Sequence, residues 1–131
     1  MRSVPVAATE TVAVFLKNRS EHSQIRAKYG PFMPNKNGRR SVYRVDGLEP
    51  DQVRHLGVDY VEPHRGQLRG YATQVAATFY GQGLDFEPDG VPHERHANVV
   101  KWTGVDHKDR LIAQHLAEGS MLRLYQAHPG K

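Results

Sequence analysis

Apolar residues recur in this chain only in short runs, each soon closed by glycine, proline or asparagine, and the runs follow two different periods. Thr11-Val12-Ala13-Val14-Phe15-Leu16 is apolar and largely β-branched with no helical gap, which predicts a buried strand. Ser41 to Val45 alternates, with Val42 and Arg44 on one face and Tyr43 and Val45 on the other. Leu84-Asp85-Phe86, Ala97 to Trp102 and Met121 to Tyr125 read as further strands. Between them lie helical signals. Glu49-Pro50-Asp51 starts a short helix with Val53 and Leu56 on its apolar edge and Gly57 as a left-handed cap, and Val58 to Val61 continues as strand or as another helical turn. Ala72, Val75, Ala76 and Phe79 predict a helix over 71–80, with a strand as the rival because Tyr71, Val75, Ala77 and Phe79 also share a pleated face. Asp106 opens the last helix as its N-cap, Leu111, Ile112, His115 and Leu116 form its buried stripe, and Gly119 ends it. Uneven interleaving of this kind predicts an α+β fold, a single small domain over 1–131 with a mixed or antiparallel sheet and two to three helices on it.

A chain of 131 residues is the size of one domain and buries roughly two-thirds of its unfolded surface, enough to fold without a covalent staple. It has no cysteine. A disulfide framework, a thiolate zinc site and a cysteine nucleophile are thereby excluded, and any metal would have to be held by His, Asp and Glu. The run from Thr11 to Leu16 is too short for a signal segment or a membrane span, so the expectation is a cytoplasmic protein with no membrane contact.

Charge is unevenly distributed. Residues 1–46 carry nine Lys and Arg against three acids, whereas the remainder carries nine against eleven. The surplus falls around a long loop at about 17–40, where Tyr29 to Gly38 is dense in proline, glycine and asparagine. Lys17, Arg19, Arg26, Lys28, Lys36, Arg39, Arg40 and Arg44, with Tyr29 and Phe32, are the candidate contacts for an acidic partner, and Tyr43 is a third aromatic interleaved among them. Cationic side chains neutralise phosphates and aromatic faces stack on unpaired bases, so nucleic acid or an acidic protein surface is the expected partner. The competing structural reading is a solvated loop whose aromatic residues pack onto the sheet.

The densest group of titratable residues is His93-Glu94-Arg95-His96-Ala97-Asn98, followed by Asp106-His107. Imidazole titrates near neutrality and ligates metals, so His93, His96, His107 and Asp106 are the candidate catalytic residues of a small hydrolase or nuclease, with a divalent metal possible only in that case. The spacing matches no zincin motif, and no glycine-rich stretch fits a phosphate-loop or dinucleotide fingerprint. The structural alternative has His96 bonded to a backbone group at a strand entrance, His93 solvated and His115 buried in the core. Three functions follow as expectations. The first is a small non-enzymatic binding protein with no cofactor, the second the His-dependent hydrolase, and the third an inhibitor, immunity protein or subunit of a larger complex.

Overall fold

A computed structural model describes residues 4–17 and 26–125. It shows one small α+β domain built on a six-stranded sheet. The strands are β1 (Thr11–Leu16), β2 (Arg40–Arg44), β3 (Gly70–Val75), β4 (Asp85–Pro88), β5 (His96–Val100) and β6 (Met121–Leu124). Their spatial order is β4-β5-β2-β1-β3-β6, and every neighbouring pair is antiparallel. Four α-helices accompany them among the described residues: α1 (Pro50–Tyr60), α2 (Glu62–Arg65), α3 (Ala76–Gly81) and α4 (Asp106–Glu118).

Alternation along the strands sends the side chains to two cores. Val12, Val14, Leu16, Val42, Ala72, Ala97 and Val99 form one cluster with Phe79 of α3 and Ala113, Leu116 and Ala117 of α4. Ala13, Tyr43 and Tyr71 form the other with Val53 and Leu56 of α1, and Phe15, Tyr60 and Val61 pack against it. Helices therefore cover both faces of the sheet. Burying both faces explains why β1 reads as a continuous apolar run instead of an alternating one.

Several expectations change in detail. The predicted helix over 71–80 is divided between β3 and α3, because Gly70–Val75 finds ladder partners in both β1 and β6, which outweighs the helical spacing. Gly57 lies inside α1 and does not cap it, since α1 runs on to Tyr60. What Gly57 supplies is close approach, as a Cβ there would stand 2.6 Å from the Phe15 ring. Pro50 does occupy the start of α1, where Glu49 and Gln52 form a reciprocal capping box.

In α4 the N-cap is Val105, not Asp106, and Asp106 forms an exposed pair with Arg110. The carboxylate that ties the helix start is Asp109, which is buried and accepts bonds from Thr103 N (2.9 Å), Thr103 Oγ1 (2.7 Å) and Gly104 N (3.1 Å). Anchoring there sets the helix phase. Asp109, Ala113, Leu116 and Ala117 face inward, while Leu111 is 64% exposed and His115 points to solvent. No helix among the described residues is long and apolar enough to cross a membrane.

Candidate functional site

A cleft of about 390 Å³ opens on the α1–α2 side of the sheet, lined by Phe15 and Tyr43 from the strands, Tyr60 and Val61 at the end of α1, His64 and Arg65 of α2, and His96 of β5. Its position follows from the strand periodicity. In β5, Ala97 and Val99 point into the α3–α4 core, so His96 and Asn98 point to the opposite face, where Tyr43 stands opposite His96 in the ladder. The Tyr43 and His96 rings meet edge to face at 5.2 Å.

The chain leaves β4 at Pro88, and Asp89 is carried over the same face by a turn through Gly90, whose φ of 70° suits glycine. Asp89 Oδ1 lies 2.6 Å from His96 Nδ1 and also accepts from the Val91 N–H at 3.2 Å, and Oδ2 accepts from Asn98 Nδ2 at 2.9 Å. Burial raises the Asp89 pKa, but the hydrogen bonds from His96, Val91 and Asn98 and the charge of His96 outweigh it and hold the carboxyl below its usual range. An ionised carboxylate can only accept, so Nδ1 carries the proton and donates. His96 is 6% exposed, and among the described residues Nε2 has no protein partner, which leaves it to the cleft.

Burial, with the Asp89 charge second and Tyr60 third, pushes the Tyr43 phenol up to about 12, so it remains a neutral O–H at neutral pH. His93 packs its ring on Tyr60 at 4.9 Å, and its Nδ1 accepts from the Arg95 N–H, so it buttresses the wall of the cleft. His107 and Asp106 are elsewhere. They stand on the exposed first turn of α4, across the sheet from His96, because α4 shares its core with Ala97 and Val99. Of the expected catalytic set, then, His96 faces the cleft, His93 supports it, and His107 and Asp106 do not reach it. No three His, Asp or Glu side chains converge as a metal site among the described residues.

The basic loop is also resolved into separate roles. Arg44 is taken up internally. It pairs with Glu10 (2.7 Å) and donates to the Val4 and Pro5 carbonyls, pinning the segment before β1. Phe32 is 1% exposed and packs near Phe79, so its faces belong to the core. Arg40 donates through Nε to the Met33 carbonyl at 2.7 Å, and Arg39 pairs with Glu87. Lys17 and Lys36 are exposed, and Arg19 lies outside the described residues. Arg26, Lys28 and Tyr29 come together along Gln114, Ala117 and Glu118 of α4 around an open depression of about 550 Å³.

The sequence does not single out Asp89, Tyr60 or Ser41, and it marks Tyr43 only as an aromatic among the basic residues, not as a neighbour of His96. The one local signal for Asp89 is the Asp-Gly pair just before the His-rich stretch, which marks a turn and not a role. No protein-family model matches the chain, and it matches no curated protein and no solved structure.

Proposed function

We propose that the protein is a small hydrolase in which His96, oriented by Asp89, moves the proton for cleavage of a phosphate ester held in the cleft. The observation that supports this is the Asp89–His96 bond of 2.6 Å, with Asn98 fixing the carboxylate and Nε2 turned to a concave, aromatic-walled space. A base in hydrogen-bond reach of its substrate and held by a third group is the usual arrangement for general acid–base catalysis. Nε2 takes a proton from water as the water oxygen bonds to phosphorus. The bond from phosphorus to the ester oxygen breaks, and the departing oxygen receives that proton from His96, so a diester and water become a monoester and an alcohol. Arg65 and His64 on α2 supply the donors for the phosphate oxygens.

The test uses bis(p-nitrophenyl) phosphate and the purified chain. His96→Ala lowers kcat/KM by about a hundredfold or more. Asp89→Asn, a positioning change beside His96, lowers kcat and moves the ¹⁵N signals of the His96 ring away from the Nδ1–H tautomer, a change that loss of packing alone does not produce. A chain with no turnover above background, or His96→Ala protein working at the full rate, overturns the proposal.

A second reading keeps the acidic partner. It is supported by the depression beside α4, where Arg26, Lys28 and Tyr29 meet. Binding of single-stranded RNA at low salt that weakens steeply as salt rises is the expected result, and no binding at low salt removes this reading.

A further inference from the structure

Strands β1 and β2 begin as neighbours and then part. Their ladder holds only Val12↔Arg44 and Ala13↔Tyr43. Continued in the same register it would set Phe15 opposite Ser41, yet no such rung forms, although β1 stays paired with β3 as far as Leu16 and β2 with β5 as far back as Arg40.

The direction of the backbone groups at this gap follows from antiparallel geometry, in which successive residues turn their N–H and C=O to opposite sides. Thr11 O accepts from Val45 N at 3.0 Å, so the odd-numbered residues of β1 face β2. Arg44 N donates to Arg95 O at 2.8 Å, toward β5, so the odd-numbered residues of β2 face β1. The amides and carbonyls of Phe15 and Ser41 therefore point at one another across the gap. Both residues line the cleft that His96 faces.

Ser41 is exposed and Phe15 half-buried, so the backbone groups at the gap are open to water, and a ladder interrupted beside a cavity leaves donor and acceptor positions for a ligand that displaces that water. Each strand offers one N–H and one C=O side by side. A planar heterocycle with adjacent donor and acceptor atoms matches that pair, as the hydrogen-bonding edges of nucleobases do. Phe15, Tyr43 and Tyr60 supply aromatic surface, and Arg65 and His64 lie where a phosphate attached to the base would be neutralised. The volume of about 390 Å³ falls at the small end of the range for such ligand sites.

We infer that the gap between β1 and β2 is a base-recognition slot, and that the ligand of the cleft is a nucleotide whose base completes the missing Phe15–Ser41 rung. This deepens the hydrolase reading by naming the substrate class, and it rests on the same cleft being the working site. Binding is measured without turnover, so a failure of catalysis and a failure of the slot are separately visible.

The experiment is calorimetric titration of the intact chain with the four common ribonucleoside monophosphates and with ribose 5-phosphate. At least one nucleotide binds about tenfold or more tighter than ribose 5-phosphate, and methylating the donor on the edge of its base removes that preference. Ser41→Pro deletes the N–H that β2 points across the gap, leaving that of Phe15, and spares the bonds of β2 to β5, so it removes the preference for a base that accepts from Ser41. Where that variant loses its circular dichroism signature, the methylated ligand alone decides. Equal binding of all the nucleotides and ribose 5-phosphate, or unchanged binding of the methylated base, overturns the inference.

Discussion

Phe79→Ala is expected to destabilise the protein by about 3–5 kcal/mol, a large share of the roughly 5–15 kcal/mol that holds a domain of this size together. Phe79 is 1% exposed and stands where three layers meet. Its ring lies 5.1 Å from that of Phe86 in β4 and 6.4 Å from that of Phe32, and it shares a cluster with Leu16 and Leu116. Truncation to Ala loses the transfer free energy of the ring and leaves a cavity whose walls come from strands and α4, elements too well tied to collapse into it. Urea titration should show the midpoint falling by about 2 M with little change of slope. The informative control is Leu111→Ala. The helical spacing made Leu111 a core candidate, but at 64% exposure its loss should cost no more than about 0.5 kcal/mol. Equal effects of the two variants would mean that the phase of α4 is wrongly placed.

Gly70→Val should cost about 3 kcal/mol and detach β6 before the rest of the sheet opens. A Cβ on Gly70 would overlap the Arg123 carbonyl oxygen and come within 2.9 Å of Leu124 Cα. Those atoms are backbone, so no rotamer change relieves the clash and the edge strand itself must move. With it would go the rungs Gly70↔Leu124 and Tyr71↔Arg123, the bond from Tyr125 N to Arg69 O, and the seat of the Tyr125 ring against Tyr71 and under Arg54. Among the described residues the buried Tyr125 Oη has no hydrogen-bond partner, and the contact with Tyr71 and Arg54 is made by its ring surface. Hydrogen exchange of the β6 amides should accelerate while those of β1 and β5 remain protected. Uniform loss of protection across the sheet, or wild-type stability, would contradict this account.

The outcome for function depends on which residues the fold gathers. His96 and Asn98 could be placed on one face of a strand from their spacing alone, since they are two apart in an alternating segment. Asp89, seven residues before His96, joins them only because the hairpin of β4 and β5 folds the turn at Gly90 back over the strand. Tyr43 meets His96 through a ladder between segments some fifty residues apart, and that pairing leaves no trace in either local pattern. The separation of His107 from His96 has the same origin. The two are close in sequence, but a strand and a helix on opposite faces of a sheet carry them apart.

What the amino-acid order determined by itself was whatever depends on neighbours: an α+β chain, the strands at 11–16 and 41–45, the proline start of α1, and the glycine that ends α4. Periodicity, turn chemistry and the absence of cysteine are properties of short windows, and short windows suffice to read them. Only the tertiary structure decided where 71–80 divides between strand and helix, which face of α4 is buried, that Arg44 holds the chain before β1, and that Asp89 reaches His96 beside a gap in the sheet. The division of 71–80 and the seat of Arg44 are set by partners distant in sequence, and the phase of α4 and the reach of Asp89 by turns whose bonds form only once the sheet is assembled; in each case burial and hydrogen bonds outweigh the local preference by a few kcal/mol.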